Sequence, residues 1–137
     1  MAVLPEEVKE AFDKTQGVAF ITATKDAQPN ANIVAMKKII DDETVYLSDQ
    51  FFKKTLVNIQ QNPKVAILFW GKDYAYQIHG TVERYVNEGP EFEEQAAWVN
   101  AAFEKMGMPV TAKGGCFVHV DAVYSSAAGP DAGNQIA

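Results

Sequence analysis

Arginine is almost absent from this chain: Arg84 is the only one in 137 residues. Acids outnumber lysine and arginine by 18 to 12, and the formal net charge is −6. A protein that grips nucleic acid or an anionic membrane needs a basic face, so both partner classes are excluded as general roles. Cysteine is nearly absent too. A single thiol, Cys116, forbids any intrachain disulfide and suits a reducing compartment. No apolar run approaches the roughly 18 residues that a membrane-spanning helix needs. The first residues, Met1 to Glu7, turn acidic at once and lack the basic start of a secretory leader. The expectation is a cytoplasmic protein. With two histidines and no third spaced ligand, no metal site is expected. Phosphate-loop, dinucleotide-loop, zinc-protease and nucleophile-elbow signatures are all missing.

The composition that remains, 47% hydrophobic and 22% charged, is that of an ordinary globular chain. The length predicts one domain over 1–137, with 125–137 as a C-terminal tail that is either loose or laid over a partner. Pro5, Glu6 and Glu7 start a short helix over 5–14, with Leu4, Val8, Ala11 and Phe12 as its apolar stripe. Residues 18–24, 31–40 and 44–48 read as three strands of an antiparallel meander. A helix over about 50–61 follows, with Ser48 or Asp49 as its cap and Asn62-Pro63 as its stop. Residues 64–70 are apolar on both faces, which predicts a helix or a second subunit over the outer face. Residues 75–86 alternate as a half-buried strand, with Tyr85 on the polar face beside Glu83 and His79. Pro90 and an acidic first turn open a helix running to Met106, and 116–124 is the last strand. Six strands with inserted helices predict a mainly β, six-stranded antiparallel barrel.

The stretch from Tyr46 to Thr55 carries the strongest chemical signal. It reads as a strand end, a polar loop and a helix start. A helix start exposes unpaired N–H groups and partial positive charge. Lys53, Lys54 and the Thr55 hydroxyl sit there. Two readings fit: an anchor for a phosphate, or a solvated face, because Asp41, Asp42, Glu43 and Asp49 offset the four lysines between residues 37 and 54. Lys37 and Lys38 read as a solvated strand end. Cys116 shares a strand face with Val118 and Val120, which predicts a buried structural thiol rather than a nucleophile. Glu91 to Glu94 suit the positive end of a helix and need no catalytic explanation.

The order of these pieces resembles the FMN-binding split-barrel superfamily, the pyridoxamine 5′-phosphate oxidase-like proteins, and within it the small FMN-binding proteins. The pieces are Gly17-Val-Ala-Phe-Ile-Thr-Ala-Thr24, Pro29-Asn-Ala-Asn-Ile-Val-Ala-Met36, Val45-Tyr-Leu-Ser48, Lys54-Thr55 followed by Asn58 and Asn62-Pro63, and Gly80-Thr-Val-Glu83, with Gly89-Pro-Glu-Phe-Glu93 as a further likeness to the small proteins. The resemblance implies a split barrel that forms a homodimer with FMN in the cleft between subunits. It places the flavin ring along Asn32, Ile33, Val34, Ala35 and Met36. It places the ribityl chain and phosphate along Ser48, Asp49 and Gln50, with Lys53, Lys54 and Thr55 on the phosphate. Trp98, Phe103 and the tail from Tyr124 become candidates for contact across the interface. The implied activity is flavin redox chemistry or electron transfer, with an unknown redox partner or small-molecule substrate. The alternatives are a carrier or sensor without turnover, or the same fold holding a deazaflavin or haem-related ligand. Vitamin B6 oxidase activity is not expected, because the arginines of the true oxidases are missing from Asn32 to Met36 and from the C-terminal segment.

Overall fold

A computed structural model describes residues 2–137. Its elements are helix α1 (Glu6–Lys14), strands β1 (Val18–Ala23), β2 (Pro29–Val34), β3 (Lys37–Asp41) and β4 (Thr44–Asp49), helix α2 (Lys54–Gln61), strands β5 (Lys64–Trp70) and β6 (Ala75–Val86), helix α3 (Pro90–Lys105) and strand β7 (Gly114–Ser125). The strands form one sheet in the order β2-β1-β5-β6-β7-β4-β3, and every pairing is antiparallel. The two edge strands, β2 and β3, are consecutive in the chain and only Ala35 and Met36 lie between them. So short a link spans on the order of 10 Å at most. The edges therefore lie side by side, and the sheet is curled around its core. At the end of the link, the Ser48 N–H of β4 donates to the Met36 carbonyl at 2.9 Å, which extends the β3–β4 ladder by one rung.

The sheet has seven strands where the sequence predicts six, because the run expected as one strand over 31–40 is cut at Ala35-Met36. No Gly, Pro, Asn, Asp or Ser stands between Val34 and Ile39, so no turn residue announces the cut. The chain leaves one edge of the curl and enters the other without a hairpin.

Inward-facing side chains fill the curl: Phe20, Leu47, Ile67, Phe69, Ile78, Val118 and Val120 are all buried. α1 docks against this core through Val8 and Phe12, whose ring meets Phe69 edge-on at 5.4 Å between centroids. Lys37 fastens that helix by donating to the Phe12 carbonyl at 2.6 Å, in the last turn where a cation suits the dipole. Burial holds the Lys37 ammonium below its ordinary pKa. Lys37 is therefore not a solvated strand end, whereas Lys38 is exposed as expected and extends over the Trp98 ring.

Two further expectations change. β6 shifts register between His79 and Gly80 and again between Val82 and Arg84. The first puts the extra residue, Asp121, on β7 and leaves the alternation of β6 intact; the second makes Glu83 an extra residue of β6 and resets it. That second shift turns Tyr85 toward the core, not onto the polar face. The tail folds back on its own chain: Val123 donates to the Ala137 carbonyl at 3.0 Å and Ser125 to that of Asn134 at 2.9 Å. It covers the stretch of β7 beyond His119 that β4 does not reach. On β5 the inner Val65, Ile67 and Phe69 are buried, while Ala66 and Leu68 on the outer face stay half-exposed.

Tyr46 is fully buried, packs on Phe117 at 4.9 Å, and its hydroxyl has no hydrogen-bond partner among the described residues. It rests on the Gly115 backbone, where any side chain would collide with it. An unpartnered buried hydroxyl costs about 1–3 kcal/mol. Tyr46→Phe is therefore expected to match or exceed the parent in urea denaturation, and a clear loss of stability would contradict this placement of the hydroxyl.

Candidate functional site

The seam opens into a cavity of about 210 Å³ lined by Asn32, Ile33, Val34, Ala35 and Met36 on one side and by Ser48, Gln50, Phe51 and Phe52 on another, with Phe103 of α3 and Met108 beyond it. All five residues assigned to a flavin ring line this cavity, together with Ser48 and Gln50. β2 is an edge strand, so the N–H and C=O groups on its outer side have no strand partner. An apolar wall edged with unpaired backbone donors and acceptors suits a planar heteroaromatic ring. Sequence reasoning missed Phe51, Phe52, Phe103 and Met108. Their aromatic or thioether character reads equally well as core, and only the fold brings α3 against the seam.

Beyond Gln50 the chain does not enter a helix at once. α2 begins at Lys54, not near Gln50, and neither Ser48 nor Asp49 caps it. Residues 50–53 form an irregular turn that ends at Lys53, with φ 48° and ψ −111°. A non-glycine residue rarely adopts a positive φ, and such strain collects at functional sites. The backbone N–H groups of Gln50, Phe51, Lys53 and Lys54 have no acceptor among the described residues. The side chains of Lys53 and Lys54 are exposed, with no acidic partner among the described residues. Four unpaired N–H groups and two lysines thus lie next to the cavity, donors of the kind an anion takes.

Asp49 and Thr55 are placed differently from the expectation. Asp49 is buried and points inward: its Oδ1 accepts from the Phe52 N–H at 2.9 Å and its Oδ2 from the Tyr85 hydroxyl at 2.6 Å. Burial, and then the bond to Asp49, push the Tyr85 phenol well above its usual pKa. Thr55 is fully buried and its hydroxyl accepts from Asn30 Nδ2 at 3.0 Å. Asn30 also donates to the Thr22 hydroxyl at 3.2 Å, and Asn58 Nδ2 to the same oxygen at 3.0 Å. Thr22, Asn30, Thr55 and Asn58 thus tie α2 to β1 and β2. Thr55 holds the helix in place; its hydroxyl is not turned toward an anion.

A larger hollow of about 480 Å³ opens on the outer face of β1, β5, β6 and β7, where Ile21 and Ala66 border Lys64, His79 and Asp121. Among the described residues, no turn contributes to its lining. Thr81 donates to Asp121 there and accepts from Lys64, at 2.6 and 3.0 Å. His79 is exposed against Tyr124, and among the described residues no three His, Cys, Asp or Glu side chains are placed to hold a metal. Cys116 is buried, and burial pushes its thiol well above the usual range, as an unreactive structural thiol requires.

A curled antiparallel sheet split at β2 and β3, with a cleft at the split, defines the split-barrel class. The family model of pyridoxamine 5′-phosphate oxidase matches residues 4–115, and the chain belongs to this pyridoxamine 5′-phosphate oxidase-like, FMN-binding split-barrel superfamily. An uncharacterised protein of Methanocaldococcus jannaschii is 38% identical over 98% of this chain and 88% of its own length. Among solved structures, HupZ of Group A Streptococcus has a TM-score of 0.78 at 23% identity, covering 95% of this chain and 99% of its own. An FMN-binding protein from Syntrophomonas wolfei has a TM-score of 0.76 at 13% identity, covering 89% and 85%. The fold also recurs in an F420 reductase (TM-score 0.66, 18% identity, 88% and 98% covered) and in HutZ, the haem storage protein from Vibrio cholerae (0.65, 13%, 90% and 94%).

Asn58→Ala removes one of two donors to the buried Thr22 hydroxyl and loosens the tie between α2 and β1. It is expected to cost about 1–3 kcal/mol in urea denaturation. An unchanged midpoint would show that the cluster does not hold the helix.

Proposed function

We propose that the chain binds FMN in the seam cleft and serves redox chemistry or electron transfer through the flavin. The observation that carries this reading is the continuity of two complementary surfaces: the apolar cavity along Asn32 to Met36 runs directly into the turn whose N–H groups lack acceptors beside Lys53 and Lys54. When bound, the flavin supplies the electron chemistry. Residues 32–36 hold the ring against an apolar wall, and the β2 edge offers hydrogen bonds to its polar rim. The N–H groups at 50, 51, 53 and 54, with the two lysines, hold the phosphate.

A second copy of the chain completes the site. The cavity of about 210 Å³ is smaller than the roughly 300–1,000 Å³ of ordinary small-molecule sites. Its rim carries Ile33, Phe51 and Met108 at 81%, 62% and 46% exposure, apolar surface that a partner subunit would cover. The half-exposed outer face of β5 suits the same assembly. The lone arginine, Arg84, pairs with Glu91 outside the cleft, so no arginine lines it for the second phosphate that a vitamin B6 oxidase substrate carries. A cytoplasmic location belongs to the same reading. A deazaflavin presents a similar ring, and competition against FMN separates the two. A haem-related ligand fits less well, because no histidine lines the cavity. Reduction of the bound flavin by NAD(P)H would mark an enzyme, and its absence a carrier or sensor.

Fluorescence titration tests the site. FMN is expected to bind at least about tenfold more tightly than riboflavin, which lacks the phosphate. Lys53→Ala combined with Lys54→Ala is expected to erase that difference and leave riboflavin binding unchanged. Equal FMN affinity in parent and variant would show that the phosphate sits elsewhere.

A further inference from the structure

Asp49 poses an electrostatic problem. It is a carboxylate only 4% exposed, it adjoins the turn assigned to a phosphate, and no lysine or arginine pairs with it among the described residues. A like charge there should repel a dianion, unless the carboxylate is held turned away and its geometry serves the turn. Both oxygens are held. Oδ1 takes the Phe52 N–H, which closes the chain around Gln50 and Phe51, and Oδ2 takes the Tyr85 hydroxyl.

Two separate features of the chain bring Tyr85 to that oxygen. The register shift between Val82 and Arg84 turns the Tyr85 side chain inward. Gly114 stands opposite Asp49 in the β4–β7 register, so no side chain occupies the gap between them. A Cβ on Gly114 would collide with the tip of the Tyr85 ring and would lie only 2.9 Å from the Val86 carbonyl. With the phenol in place, the closure at Phe52 leaves the N–H groups of Gln50 and Phe51 without an internal acceptor, and the turn runs on into Lys53 at its positive φ.

We propose that Tyr85 is a positioning residue: acting through Asp49, it fixes the shape of residues 49–54 so that their N–H groups converge on the phosphate of the bound ligand. This rests on the FMN reading above and deepens it. Tyr85 is not one of the residues that line the cavity, and its role is to set the anion end of the site, not the ring end.

The test compares FMN with riboflavin on the full chain, in parent, Tyr85→Phe, Asp49→Asn and Asp49→Ala proteins, with thermal melts alongside. Tyr85→Phe is expected to weaken FMN about tenfold and to leave riboflavin within about twofold. Asp49→Asn keeps an oxygen for the Phe52 N–H and offers an amide to the Tyr85 oxygen, so it is expected to retain FMN binding, while Asp49→Ala loses it. Should Tyr85→Phe unfold because it strands a buried carboxylate, Tyr85→Phe combined with Asp49→Asn carries the same comparison without a stranded charge. A purely structural Tyr85 would weaken both ligands together, and that result, or an unchanged FMN-to-riboflavin ratio in Tyr85→Phe, overturns the inference while the FMN reading stands. A parent protein that shows no preference for FMN over riboflavin overturns the FMN reading and this inference with it.

Discussion

Ala35 and Met36 alone separate the two edge strands of the sheet, and the rest of the molecule depends on how short that link is. A flat seven-stranded sheet would hold β2 and β3 at opposite ends, far beyond the reach of two residues. The sheet must curl, and its inner face then becomes the core. The curl also leaves a seam where a continuous sheet would have a ladder. Ser48 pairs with Met36 as the last rung of the β3–β4 ladder, and the cavity opens beside that rung. The constraint that closes the fold therefore also creates the unpaired strand edge and the apolar hollow on which the functional reading rests.

The turn proposed to hold the anion is reached from the same seam by another route. β4 emerges next to the seam and runs into a turn instead of a helix. Buried partners shape that turn: Asp49, Phe52 and Tyr85 on one side, Asn30, Thr55 and Asn58 on the other. Two polar clusters hold the turn and α2 in place, and the N–H groups left over lie outside both. That division explains why two residues with anion-binding or capping chemistry, Asp49 and Thr55, work inside the scaffold. The exposed Lys53 and Lys54 are the side chains left to meet a ligand.

Much of this was legible in the residues. The β-rich composition and the order of strands and inserted helices follow from local patterns. The family likeness of the motif order points to residues 32–36, which do line a cavity. What stayed hidden is what depends on tertiary geometry. The seam carries no turn signal, because no Gly, Pro, Asn, Asp or Ser stands between Val34 and Ile39. The extra residue in β6, Glu83, left Tyr85 assigned to the wrong face, since alternation cannot show where it is reset. Phe103 and Met108 are distant in sequence from the rest of the cavity, and their character is that of any core residue. The start of α2 was placed early, because the helical spacing of Phe52, Leu56 and Ile59 runs through a turn that is not helical.

Native mass spectrometry of the purified chain after incubation with FMN tests the central claim most directly, because one spectrum reads both assembly and ligand. A cleft that one copy only half encloses predicts a dimer carrying one FMN per chain, with little FMN retained on the monomer. A monomer that holds FMN by itself would contradict the shared site, and a chain that emerges without FMN in any assembly state would contradict the flavin reading itself.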